Sequence, residues 1–247
     1  MTTKEIFFAR IRDEMRKTSG LFAAATAPRP PAPGRLVETI RRELSERWSD
    51  TLERFRLEFE RVGGDFHRVA TVADVPGLVA RIARERNGHR VVTWHPTALG
   101  ADLTGGLNAA GLETLPMPAA AVAEAGERSA LREKIAAAEI GLTGVDLAVA
   151  ETGSLVLVSG AGRPRSTALL PPYHVAVFDR EALVESLEQL GVFFEAWHEG
   201  PPDPGRGAAI HVITGPSRTA DIELTLTRGV HGPKEVHAIF VDAPIRG

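Results

Sequence analysis

The chain has no cysteine among its 247 residues. Disulfides, thiol nucleophiles and thiolate ligation of zinc or iron–sulfur clusters are therefore excluded. It has no run of 18 apolar residues, so no segment reads as a membrane-spanning helix. The P-loop, the dinucleotide fingerprint GxGxxG and the zinc motif HExxH are also missing. The charged first residues carry no apolar signal core, so a cytoplasmic location is expected.

The chain is 43% hydrophobic, enough for a sizeable core. The net charge of -3 hides an asymmetry. Residues 1–90 hold 18 Lys and Arg against 13 Asp and Glu, and the remainder hold 11 against 19. Neither part is basic enough to predict a nucleic-acid partner.

Thr2 and Glu5 have capping-box spacing, and Ile6, Phe7, Ile11 and Met15 form one stripe, which predicts a helix over 3–18. The Ala/Pro-rich stretch 19–34 then reads as a linker, because prolines bar a helix there. Residues 1–34 are thus expected to be an arm, open to self-association, and 35–247 a single domain. Helices are predicted over 35–47 and 50–62, from about 74, over 127–138, over 180–190 and near 219–227. Strands are predicted at about 66–70, 90–94, 145–150, 154–159, 173–178, 209–213 and 236–241, with 191–208 irregular. This alternation implies an α/β fold with a mostly parallel sheet and helices on both faces.

Two stretches carry the chemistry. In 146–174, Glu151 joins two apolar runs. It is either a base or ligand acceptor, or an acceptor for turn N–H groups or an arginine. Gly160 and Gly162 permit close backbone approach, and Arg163 and Arg165 offer forked donors suited to phosphate or carboxylate. His174 stands before a strand, as a proton shuttle or as a structural histidine. In 214–237, Thr214, Gly215, Ser217, Arg218 and Thr219 follow a strand and precede the predicted helix, the arrangement of an anion cradle. Asp221 and Glu223 fall near that helix start, where they favour its dipole or bind a ligand hydroxyl. His231, between glycines, and Lys234 complete the set. His174, His231 and His237 have only loose metal-ligand spacing with Asp221 or Glu223, and no metal site is predicted. The two stretches are expected to face one electropositive cleft.

The segments DLAVAETGSLVLVSGAGRPRSTALLPPYHVAVF (146–178) and TGPSRTADIELTLTRGVHGPKEVHAIFV (214–241) resemble the LUD-domain family, and within it the lactate utilization protein C type. The resemblance implies a fold similar to the ribose-phosphate isomerase, glucosamine-phosphate deaminase and CoA-transferase superfamily. It also implies a part in oxidising L-lactate to pyruvate, together with iron–sulfur partner proteins. With no cysteine, this chain would be the cluster-free accessory or ligand-binding subunit, taking an anionic small molecule. A nucleotide or flavin held noncovalently stays open as cofactor. Two alternatives stand beside this. One is a stand-alone enzyme or binding protein for a phosphorylated or hydroxy-acid molecule, with Glu151 as base and His174 or His231 moving protons. The other is a structural or regulatory interaction module.

Overall fold

The computed structural model describes residues 3–17, 30–201, 207, 209–220 and 226–245. Residues 1–32 and 33–247 form separate units. The first contains helix α1 (Thr3–Lys17), on which Ile6, Phe7, Phe8 and Ile11 are exposed. No helix among the described residues is long and apolar enough to cross a membrane.

The second unit opens with α2 (Pro33–Arg61), β1 (Asp65–Val69), α3 (Val75–Glu85) and β2 (Arg90–Thr93). Two short helices, α4 (Pro96–Leu99) and α5 (Thr104–Ala109), precede β3 (Glu113–Pro116), α6 (Ala125–Ala137) and β4 (Ile140–Gly144). Then come β5 (Leu147–Val149), β6 (Ser154–Val158), α7 (Ser166–Leu169), β7 (Tyr173–Phe178) and β8 (Leu183–Val184). The last elements are α8 (Leu187–Ala196), β9 (Ile210–Ile213), β10 (Arg218–Ala220), β11 (Leu226–Arg228) and β12 (Glu235–Val241).

Six strands form an all-parallel sheet in the order β1-β12-β7-β4-β2-β3. Its central strands are continuous apolar runs, as burial on both faces requires. The strands after β4 and β7 do not all join it. β8, β5, β6 and β9 make a second, mixed sheet with antiparallel β5–β6 and β6–β9 pairs. Alternation divides this second sheet between two cores. Ala148, Leu155 and Leu157 join the main core. Leu147, Val149 and Val156 pack with Ile40 and Leu44 of α2 and Leu190 and Phe193 of α8.

The helices predicted over 35–47 and 50–62 are one helix, α2, interrupted at Arg47 (φ -129, ψ 21). The break falls where α2 passes from one core to the other. Before it lie Ile40 and Leu44; after it Phe55 stacks on Phe59 at 5.4 Å and meets Phe178 edge-on at 5.3 Å.

Two predicted helices are corrected. The helix expected over 180–190 is α8, displaced toward the C-terminus. The Asp179 carboxylate accepts the Glu181 and Ile245 N–H groups and holds 180–182 as a single tight turn. Ser186 then caps the true helix by accepting the Gln189 N–H at 3.2 Å. The helix expected near 219–227 is absent where the chain is described. Arg218–Ala220 and Leu226–Arg228 are antiparallel strands with Thr219 opposite Thr227. The β-branched threonines favour that extended state over a helix.

Candidate functional site

Ligands in open α/β sheets bind beyond the carboxyl ends of the strands, where the strand order reverses. In the parallel sheet, β3 lies on one side of β2 and β4 on the other. The reversal is therefore between β2 and β4, and Trp94, His95, Val145 and Asp146 follow their carboxyl ends.

The Gly160–Arg165 loop closes over this point. His95 N–H donates to the Gly162 carbonyl at 2.7 Å, and Arg163 Nη1 donates to Asp146 Oδ1 at 2.9 Å. Asp146 Oδ2 accepts the Val158 N–H at 2.7 Å. Gly162 has φ +74, and a Cβ on it would stand 2.9 Å from His95 Cβ, so this approach needs glycine.

On one side of the loop is a groove of about 650 Å³. Gly160–Gly162 and Arg165 form one wall, and Arg128, Leu131 and Arg132 of α6 the other. Arg128, Arg132 and Arg165 are exposed, and among the described residues no acidic side chain lines the groove. Arg128 is committed to the carbonyls of Val122 and Ala123. The groove is apolar along its floor, through Ile135 and Leu169, and cationic at its rim. It suits an anion that also carries an apolar body.

On the other side is a crevice of about 390 Å³ at the carboxyl ends of β2, β4 and β7. Arg41 lines it, donating to the Leu183 carbonyl at 3.1 Å with its guanidinium 4.5 Å from the Phe193 ring centroid. Burial lowers the Arg41 pKa, while Glu181 and Asp179 act to raise it. Trp94 lines the same crevice, and its buried Nε1 makes no hydrogen bond among the described residues.

The expected common cleft is not formed. β6 and β9 are antiparallel, pairing Leu155 with Ile213 and Val158 with Ile210. Gly160–Arg165 follows the end of β6, and Thr214 sits beside its start, with its Oγ1 2.7 Å from Ser154 Oγ. The length of β6, about 15 Å, lies between them. The second stretch stands instead at the amino ends of β7 and β12. There Ser217 N–H donates to Pro233 O at 2.9 Å, and Lys234 N–H to Pro172 O at 2.7 Å.

Arg218 Nη2 donates to the Val62 carbonyl at 2.6 Å, and Gly215 packs against that same carbonyl. Arg218–Ala220 is a strand, so among the described residues the anion cradle expected from Thr214 to Thr219 has no helix N-terminus. Asp221 and Glu223 lie outside the described residues. The three residues expected to be catalytic are likewise apart. Glu151 Oε2 accepts the Leu187 N–H at 2.8 Å, capping α8. His174 is fully buried, with Nε2 2.9 Å from Thr143 Oγ1, and burial lowers its pKa to about 3. His231 is exposed on its loop. Among the described residues these three make no hydrogen bond to one another.

Sequence reasoning places Gly160, Gly162 and Arg165 at the groove, and Arg163 in its backing. It misses Arg128 and Arg132. Their signal is an i, i+4 pair of arginines flanking Leu131 on an otherwise weakly patterned helix. It also misses Arg41 and Trp94, which only the packing of distant elements brings to the crevice.

The sequence pattern of the LUD domain matches residues 52–241. Lactate utilization protein C of Halalkalibacterium halodurans is 41% identical over 117 residues, 47% of this chain and 49% of that protein. The protein of the same name from Shouchella clausii is 36% identical over 113 residues, 44% and 47%. In these alignments the chain spans about half the length of the relatives. Lactate utilization protein C of an Exiguobacterium species is 29% identical over 250 residues, 98% of this chain and 96% of that protein. A crystal structure of a DUF162 family protein from Deinococcus radiodurans superposes with a TM-score of 0.49 at 20% identity, covering 78% of this chain and 98% of that one.

Proposed function

Because this chain belongs to the LUD domain family, we propose that it is the cluster-free, ligand-binding subunit of a system that oxidises L-lactate to pyruvate with iron–sulfur partner proteins. The names of its relatives support the pathway, and the lack of cysteine supports the division of labour. The observation that carries the binding role is the groove, with arginines at its rim and no carboxylate among the described residues of its lining. Arg165 and Arg132 hold the anionic end of the ligand, and Leu131, Ile135 and Leu169 cover its body. At about 650 Å³ the space is nucleotide- or flavin-sized, far larger than lactate. A fold similar to the ribose-phosphate isomerase and CoA-transferase superfamily, which the family resemblance implies, would favour the same placement at strand ends.

The test is calorimetric titration of the purified chain with FMN, ADP, L-lactate and pyruvate, alongside an assay for lactate oxidation. One of the larger anions binds, Arg165→Ala weakens it about tenfold or more, and the chain alone oxidises no lactate. Turnover by the isolated chain would overturn the accessory role. Unchanged affinity in both Arg165→Ala and Arg132→Ala would overturn the groove.

A second reading, a stand-alone protein acting on a hydroxy acid, is favoured by the crevice. The Trp94 ring lines it, with a buried Nε1 that makes no hydrogen bond among the described residues, and Arg41 offers a cation. Saturable binding of L-lactate that Trp94→Phe abolishes supports this reading over the first.

A further inference from the structure

The amino ends of β1 and β12 carry two copies of one short pattern, acid-x-His: Asp65-Phe66-His67 and Glu235-Val236-His237. The strands are adjacent and parallel, with Asp65 directly opposite His237. Side chains alternate along a strand, so Asp65, His67, Glu235 and His237 all project from the same face. That face is the one toward α3, whose Gly77, Leu78 and Arg81 line a cleft with His67.

The donor atoms gather around His237: Asp65, Glu235 and His237 offer ligand atoms within 4.8 Å of one another, and His67 joins through His237. His67 Nε2 lies 3.1 Å from His237 Nδ1, and Asp65 Oδ2 lies 3.8 Å from the same nitrogen. The imidazole centroids are 5.4 Å apart and the two nitrogens are within hydrogen-bond distance, a contact that a bound ion would replace. A tetrahedral ion with bonds of about 2.0–2.1 Å sets its ligand atoms about 3.3–3.4 Å apart. The two separations from His237 Nδ1 lie on either side of that value; Asp65 and His67 make no ion pair with each other, so the half-exposed Asp65 side chain must turn inward to complete the shell.

The surroundings prepare these donors. His237 Nε2 lies 3.1 Å from Glu235 Oε2, to which its N–H donates. This fixes the tautomer that leaves Nδ1 as a lone pair. A carboxylate behind a ligating histidine is the recurrent outer layer of zinc sites. Arg86 in turn holds Glu235. Burial and the neighbouring His237 lower the His67 pKa to about 4, which keeps its ring neutral at pH 7. Arg81 and Arg86 oppose a cation here, but Arg86 is paired with both Glu85 and Glu235, and Asp65 adds a further negative charge. His237 is 1% exposed and Asp65 53%, so the site has a buried floor and an open rim.

We propose that His67, His237 and Asp65 bind one divalent transition-metal cation of the zinc class, with Glu235 orienting His237. Two imidazoles and a carboxylate suit zinc better than calcium or magnesium. The ion clasps the edge strand β1 to β12. This inference is independent of the groove, which lies at the opposite end of the sheet.

The experiment is calorimetric titration of the untagged full chain with ZnCl2, paired with visible absorption after CoCl2 addition. One ion binds per chain, the cobalt spectrum shows tetrahedral bands, and zinc raises the thermal midpoint. His67→Gln and Asp65→Asn lie on the rim, and each weakens zinc about tenfold or more. His198→Gln, in the turn after α8, binds as the parent does. Absence of saturable binding overturns the proposal. So does binding that both rim variants leave intact. Circular dichroism of each variant separates lost ligation from lost folding, and Asp65→Asn keeps the test decisive if His67→Gln does not fold.

Discussion

Arg163 Nη1 donates to Asp146 Oδ1 at 2.9 Å, and this pair joins the Gly-rich loop to the carboxyl end of β4. Both side chains are mostly buried, at 13% and 18% exposure. Arg163 was expected to hold a ligand anion, but here its charge is met by Asp146. Arg163→Ala leaves a mostly buried carboxylate with the Val158 N–H but without its cation. The loss is about 2–3 kcal/mol, below the value for a fully buried pair. Urea denaturation measures it, and a change under 0.5 kcal/mol would assign the pair no structural part.

Gly162→Ala tests the loop from its other contact. The residue sits at φ +74 with His95 Cβ close by, so the added methyl meets both backbone strain and a neighbour. A loss of about 1–3 kcal/mol is expected, together with weaker ligand binding, because the loop forms one wall of the groove. Thermal melts and calorimetry on the same sample read both. Gly105→Ala is the control, since nothing lies within 4 Å of its added carbon.

The parallel sheet was legible because β2, β7 and β12 are apolar runs bounded by turn residues. The second sheet was not, because Leu147–Val149 and Ser154–Val158 read equally well as members of the first. Only the antiparallel β5–β6 turn, where Gly153 packs against the Phe59 backbone, sends them elsewhere. The Gly160–Arg165 loop announced itself by composition. Arg41 and Trp94 did not, since each becomes part of the crevice through contacts with residues more than 40 positions away. Thr214–Thr219 misled for a specific reason: a small-residue turn after a strand opens a helix or another strand with the same residues, and here the strand Arg218–Ala220 follows, paired antiparallel with Leu226–Arg228.

Stability should fall in acid before the carboxylates titrate. His174 is held neutral by burial, with its pKa lowered to about 3 from an ordinary 6.5. The unfolded chain therefore takes up the proton first. Its contribution is complete above pH about 6.5 and drains away as the pH falls toward 3, by about 1.4 kcal/mol per pH unit. His67 and His237 are lowered too and act in the same direction. Urea denaturation at pH 8, 6 and 5 should show this slope, and His174→Gln should flatten it by about one proton. A stability that is level from pH 8 to 5 contradicts the buried neutral state.

Glu151 separates a structural from a catalytic part most directly. Its carboxylate accepts the Leu187 N–H at 2.8 Å, at the first residue of α8, where a negative charge also meets the positive end of the helix. It is exposed, and it stands at the turn between β5 and β6, away from the groove. Glu151→Ala should cost about 1 kcal/mol of stability, as the loss of a helix cap does. Glu151→Gln retains an oxygen acceptor and should recover part of that. Neither should alter ligand affinity at the groove by more than about twofold, because no contact links the two places. Loss of ligand binding or turnover in Glu151→Gln at unchanged stability would restore the carboxylate to the reaction and move the functional site to the amino end of the sheet.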